Sequence, residues 1–364
     1  MSETSVSQSA IYRARPTLRI GGEADERATE LVLAMRMEES EGGLSRLELR
    51  FSNVASTSDG GAETAFGPDS KLALGAEIGV YVGDEAAPRE IFKGKVSAIE
   101  IDFKTGMPPE ICALAEDALQ SARMARRSKT YTDKSPADVV RDISGVLGLQ
   151  PVISGLDSPT GTWAQLNESD LAFLRRLLAR FDADLQISGD ELQVSPRSDV
   201  QRGTLELQLY GQLGRARVIA DLADQVTAVS VRGWNARDGE AVDADISSGA
   251  HIGPGQGQTG AELLQQHFEA RREHLAHVPV LTADEANAVA QAAFDQRARR
   301  FVRVDATAEG NPKLRVGSEV ALSGLDPRFD NHYYVVRACH LYDLRIGYST
   351  EFSAECAYLG SGST

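Results

Sequence analysis

Cysteine is scarce. Cys112, Cys339 and Cys356 are the whole complement, odd in number and widely spaced, which argues against a disulfide framework, a zinc knuckle or a redox pair and for reduced thiols packed as small hydrophobes. Long apolar runs are missing too: nothing approaches the roughly 20 residues needed to span a bilayer, and the opening MSETSVSQSA has neither a basic stretch nor an apolar core, so no secretory signal is read there. A soluble protein made in the cytoplasm is expected. Basic residues are outnumbered, 38 against 53 acidic ones for a net charge of -15, which repels phosphate backbones and disfavours nucleic-acid binding. The one basic cluster, Arg123 to Lys129, has no interleaved aromatic stacking partners and reads as a solvated edge.

Catalytic signatures are equally sparse. There is no HExxH, GxSxG or GxxxxGK[ST]. His267, His274 and His277 lie close in sequence beside a helix end and read as solvent-facing rather than as zinc ligands. Gly255, Gly257 and Gly260 have the GxGxxG letters, but no apolar strand precedes them, so a flexible loop is expected. Glu168 and Asp170 could serve as a glycosidase pair, yet a position at a helix start explains both electrostatically. No catalytic, cofactor or metal-binding residue is assigned, and no cofactor is expected. Trp163 and Trp234 read as core or interface anchors before sugar platforms.

What is present is patterned surface. At 364 residues, 42% hydrophobic and 25% charged, the chain is globular and long enough for two to four modules. Short strands follow one another from Thr17–Ile20 through Leu31–Met37, Leu44–Phe51 and Glu77–Val82 to Ile91–Phe103, where Val96, Ile99, Ile101 and Phe103 carry most of the apolar surface. Ser135-Pro136 opens a helix that Gly148 stops. Asn167 is read as the cap of a second helix with its apolar face at Leu171, Leu174, Leu177, Leu178 and Phe181, followed by a hairpin turning at Ser188-Gly189-Asp190. Further strands are expected at Leu205–Tyr210, Gln225–Trp234, Phe301–Val304, Glu319–Leu322, Tyr333–His340 and Ser349–Ala357, with a capping box at Thr282–Glu285 opening a helix.

An internal repeat is visible. Leu74-Gly75-Ala76-Glu77-Ile78-Gly79-Val80 matches Val316-Gly317-Ser318-Glu319-Val320-Ala321-Leu322 at an offset of 242; carried forward, it sets Phe92 on Tyr334, Lys95 on Arg337, Val96 on Ala338 and Ile99 on Leu341. The expected class is α+β, mainly β: a flexible tail at 1–15, a β-barrel module at 16–115, a small α/β module at 116–198, a second β-barrel split between 199–246 and 301–360, and a loop and helical insertion at 247–300. Three chains each holding two similar units would form a ring of six.

The run from Asn167 to Leu178 with its hairpin resembles the middle module of the phage late control D proteins, the tail baseplate hub family similar to the N-terminal part of VgrG. Gln225–Asn235, and Gly310–Ala357 with Arg328-Phe329-Asp330, Tyr333-Tyr334-Val335 and Gly347-Tyr348, are similar to that family's second barrel. The resemblance implies two tube-protein-like barrels in a homotrimer that adapts a sixfold tail tube to a threefold spike. It implies a tube protein, a separate spike and other baseplate proteins as partners, and no chemistry; only YLGSGST follows Ala357. The acidic balance would suit a lumen that repels DNA or acidic cargo. The alternative is a tail component that binds or hydrolyses peptidoglycan.

Overall fold

A computed structural model describes residues 15–56, 62–83, 88–200, 202–236 and 238–360; the expected flexible tail at 1–15 falls almost wholly outside them. The first strands are β1 (Thr17–Ile20), helix α1 (Glu26–Leu31, capped by Asp25), β2 (Val32–Ser40), β3 (Arg46–Ser52), β4 (Glu77–Val82), β5 (Arg89–Asp102) and β6 (Glu110–Glu116). Alternation puts Leu47, Leu49 and Phe51 of β3 in the core while Arg46 and Arg50 face water. The sheet runs antiparallel in the order β2-β3-β6-β5-β4-β1.

A helical layer follows. It holds α2 (Gln120–Met124), β7 (Arg126–Lys134), α3 (Pro136–Leu147), β8 (Gln150–Ile153), β9 (Gly161–Ser169), α4 (Asp170–Ala179), β10 (Ala183–Ser188) and β11 (Glu191–Pro196). Helix α3 begins as expected, with a reciprocal Ser135–Asp138 capping box, and ends on left-handed Gly148. The α4 cap differs from expectation. Asn167 stays in β9 with φ of 49°, and the side chain of Ser169 accepts from the Ala172 N–H. The reason is the bent strand end: Asn167 tolerates positive φ, which brings Ser169, two residues on, to the cap. The apolar face is as expected apart from half-buried Phe181, with Phe173 added, stacked 5.5 Å from Tyr131. The hairpin β10–β11 turns at Gly189-Asp190, and β8 joins it in parallel as a third strand.

The remaining strands are β12 (Thr204–Gln208), β13 (Leu213–Ala220), β14 (Ala228–Asn235) and β15 (Glu240–Ile246), then helix α5 (Gly260–His267), β16 (Arg272–Leu275), helix α6 (Ala283–Arg299), β17 (Val302–Glu309), β18 (Glu319–Ser323), β19 (Asn331–Asp343) and β20 (Gly347–Cys356). Strands β14, β15 and β16 form a small sheet under α6. Strand β13 starts a path β13-β17-β20-β19, with β18 and β12 branching from β19.

The two sets of strands share one ladder plan. Strand order β2-β3-β6-β5-β4 is repeated as β13-β17-β20-β19-β18. Gly75 and Gly317 have φ of 80° and 84°, a region open to glycine at little cost, and donate to Val96 O and Val335 O at 2.8 and 2.9 Å. The bulges recur as well: the register slips between Val96 and Ala98 in β5 and between Val335 and Arg337 in β19, and between Val32 and Ala34 in β2 and between Leu213 and Arg215 in β13. This ladder corrects the forward alignment. Val96 corresponds to Val335 and Lys95 to Tyr334, three positions short of the offset carried from Gly75, because the connection between β18 and β19 is three residues shorter than that between β4 and β5. Where the first set has the tight β2–β3 hairpin, the second has the whole excursion from β14 to α6.

The two sets are not separate bodies. Strand β2 pairs antiparallel with the second half of β19, from Ser40–Arg337 to Ala34–Asp343, so the sheet is continuous through both. Among the described residues its hydrogen bonding runs as an open path and does not close into two barrels. One face covers two cores, around Phe51 and around Phe352. On the other face charges of both signs pair, as in Arg36–Glu38 at 3.1 Å and Arg337–Glu38 at 2.7 Å, so that face is mixed rather than uniformly acidic.

Candidate functional site

The residues considered for chemistry are engaged elsewhere. Glu168 pairs with Arg176, whose hydrogen bond holds its carboxyl below the usual range. Asp170 accepts from Gln165 Nε2 at 2.9 Å and lies 3.2 Å from Arg127 Nε. Glu168 is therefore not poised as an acid, which needs a raised pKa, and Asp170 is tied into the contacts just named. Trp163 is buried, donates to Lys134 O at 2.7 Å and meets Phe181 edge-on; Trp234 is largely exposed. Gly257 lies against the chain's own end, where a Cβ would come within 2.4 Å of Leu359 O. Gln258–Thr259 pairs there with Tyr358–Leu359, and Thr259 caps α5. The GxGxxG letters serve this packing. His274 Nδ1 is 3.1 Å from Ser230 Oγ, and among the described residues no group of His, Cys, Asp or Glu could hold a metal.

What the structure builds instead is a charged junction. Glu39, buried in β2, takes two contacts from Arg315, 2.8 Å to Nε and 2.5 Å to Nη2, and the Val316 N–H at 2.6 Å. Beside it Glu41 pairs with Arg197 at the end of β11; burial raises the Glu41 carboxyl to about 8. Arg299, at the end of α6, makes a bidentate pair with Asp182 at 2.5 and 2.6 Å. Gln186 reaches Ser40 O at 3.0 Å, and Arg175 bonds both Gly42 O and Gly43 O. Glu355 of β20 lies 4.0 Å from Arg197, so the β2–β3 hairpin, the helical layer, α6 and β20 are joined through charged groups that cost several kcal/mol each if buried and left unpaired.

Two strand edges are open. Strand β5 gives its first half to β4, but beyond Val96 no described strand pairs with that edge. Ile101 and, one residue past the strand's end, Phe103 stand at 45% and 74% exposure; of Val96, Ile99, Ile101 and Phe103 only Val96 is fully buried, with Ile99 half-buried. Strand β13 pairs with β17 along one edge; apart from an isolated bridge at Leu213 its other edge is unpaired among the described residues, with Ile219 at 43% exposure. Sequence reasoning did not single out β13 at all. Its alternation of Arg215, Arg217 and Ile219 with Ala216, Val218 and Ala220 was the available signal.

No described helix is long and apolar enough to cross a membrane. Among curated proteins no sequence matches. Solved structures share the fold. A 43 kDa tail protein of prophage MuSo2 from Shewanella oneidensis superposes with a TM-score of 0.69 at 12% identity, over 93% of this chain and 97% of that one. A tail protein from Neisseria meningitidis MC58 gives 0.61 at 10%, over 94% and 96%. A component of the E. coli type VI secretion system gives 0.56 at 13%, over 95% and 79%. Identities this low establish the fold alone. The family model that matches in sequence is the Alg8 N-terminal domain, not the late control D family, and since it spans residues 57–343, well over half of the chain, the protein belongs to the Alg8 N-terminal domain family.

Proposed function

We propose that this chain is a structural baseplate hub of a phage tail or phage-like particle, akin to the late control D and VgrG proteins, and that it works as a homotrimer. In this reading the units at 16–115 and at 199–246 with 301–360 are tube-like modules, the layer at 116–198 and the insertion at 247–300 brace them, and three chains present six similar units around an axis. A sixfold tail tube and a threefold spike, each from partner proteins and flanked by other baseplate proteins, would meet across that ring. The hub transmits load and performs no chemistry.

The observation that carries the reading is the repeated ladder: the same strand order, the same glycine hydrogen bond and the same two bulges occur twice. A fold shared with tail proteins and a type VI component supports it. Light scattering on the purified protein tests it. Three chain masses are expected, and a strict monomer at high concentration would count against the ring.

A further inference from the structure

A basic cleft of about 450 Å³ opens where the start of β5, the β10–β11 turn and the segment at 312–315 ahead of β18 meet. Five cationic side chains line it, Arg89, Lys93, Arg202, Lys313 and Arg315, against two carboxylates, Glu90 and Asp117. That positive excess stands in a chain whose net charge is -15. Neither carboxylate offsets it. Asp117 is buried and accepts the Ser45 and Leu119 N–H groups at 2.7 and 2.9 Å, and Glu90 accepts from Tyr81 Oη at 2.6 Å. Two of the cations are committed, Arg315 to Glu39 and Lys93 to Asp190 at 2.9 Å. Arg202 donates only to neutral oxygens, Val316 O at 2.8 Å and Gln193 Oε1 at 3.2 Å. The charged groups of Arg89 and Lys313, both exposed residues, have no partner among the described residues.

We infer that this cleft binds a short acidic segment of a partner protein, whose aspartate and glutamate carboxylates meet Arg89, Arg202 and Lys313. Like charges gathered without counter-charges repel. Ligand carboxylates relieve that repulsion and match the fixed donor fork of arginine, the chemistry by which basic clusters recognise acidic motifs. The layout favours a chain over a phosphate group. Phosphate sites converge backbone N–H groups of a glycine-rich loop or helix N-terminus on one point, whereas these three cations come from three separate segments and no described helix contributes a lining residue. Phe92 and Ile187 add apolar wall for the methylenes of such a segment. The inference goes beyond the trimeric reading and does not rest on it: every group belongs to one chain, so a monomer would bind as well.

The test titrates the full chain into a fluorescein-labelled hexaglutamate peptide and reads anisotropy at about 150 mM salt, where charges beyond roughly 8 Å are screened. Saturable binding is expected. Arg89→Glu with Lys313→Glu should weaken it by about tenfold or more and leave the melting temperature within about 2 °C, since both side chains are exposed and unpartnered. The control is Arg126→Glu with Lys129→Glu, the same charge change on exposed residues of β7, which should leave the affinity within about twofold. No saturable binding, or equal weakening by the two double variants, would overturn the site. Unlabelled hexaglutamate should displace the probe. Displacement by tripolyphosphate at about tenfold lower concentration would overturn the acidic segment in favour of a phosphate ligand.

Discussion

His340 and Ile101 occupy the same rung of the same ladder, and they meet opposite fates. One is buried with its Nδ1 2.8 Å from Tyr348 Oη; the other is nearly half exposed. Nothing in strand propensity separates them, since isoleucine is the more apolar of the two. The difference lies in the neighbour: β2, distant in sequence, lies against β19 and covers His340, and no described strand of the same chain reaches Ile101. A polar residue can therefore sit in the covered seam once it finds a hydrogen bond, while an apolar one waits in the open seam. The comparison teaches that exposure here records which junction a single chain can complete.

The comparison breaks most sharply by placing a charge in each seam. Met37→Asp, opposite His340, should cost about 4 kcal/mol or more in urea unfolding, because the carboxylate has no partner in the core. Ile101→Asp at the corresponding junction should cost under about 1 kcal/mol in the isolated chain, as exposed positions do. Equal losses would mean that the two seams are not related as described.

Next comes the clamp beside the closed seam. Asp182→Asn keeps the shape but leaves the buried Arg299 guanidinium without its anion, with an expected loss of about 3 kcal/mol. That loss should appear in denaturant midpoints, and an unchanged midpoint would mean that Asp182 is not what holds Arg299 in place.

A pH prediction follows from His340. Burial first, then the Arg315 charge, lowers its pKa from 6.5 to about 3. The folded state thus holds fewer protons than the unfolded chain between those values, so the stability His340 contributes is complete above about pH 6.5 and is lost as pH falls toward 3. The slope from this one site approaches about 1.4 kcal/mol per pH unit. His340→Gln should flatten it in chemical denaturation series, and an unchanged slope would assign acid sensitivity to other groups.

The smallest effects separate the observed helix cap from the expected one. Ser169→Ala should cost about 1 kcal/mol by removing the acceptor for the Ala172 N–H. Asn167→Gly should change stability by only a few tenths, since glycine adopts its positive φ freely. The reverse ranking in thermal melts would restore Asn167 as the cap.

Much of this was legible in the residues because it is local. The two-residue alternation of Leu47, Leu49 and Phe51, the Ser135 cap with Gly148, and the Ser188-Gly189-Asp190 turn each depend on neighbours a few positions away. The paired glycines at 75 and 317 were legible for the same reason: a left-handed turn entering a strand has a sequence signature. The forward alignment slipped because loop lengths are free to differ between repeats while hydrogen-bond ladders are not. Strand β13 escaped notice because its first half alternates arginine with alanine, and only Val218 and Ile219 supply the β-branched bulk that marks a covered strand.

By itself the sequence determined the mainly β class, the helices with the Ser135 cap, and the recurrence of one turn-and-strand unit, since each is written in side-chain period and backbone preference. Only the tertiary structure decided that β2 and β19 share a ladder, that Arg299 finds Asp182, and that Ile101 and Phe103 stand uncovered at an open edge. Pairing between distant strands is chosen by which edges the whole chain brings together, and no short window of residues contains that information.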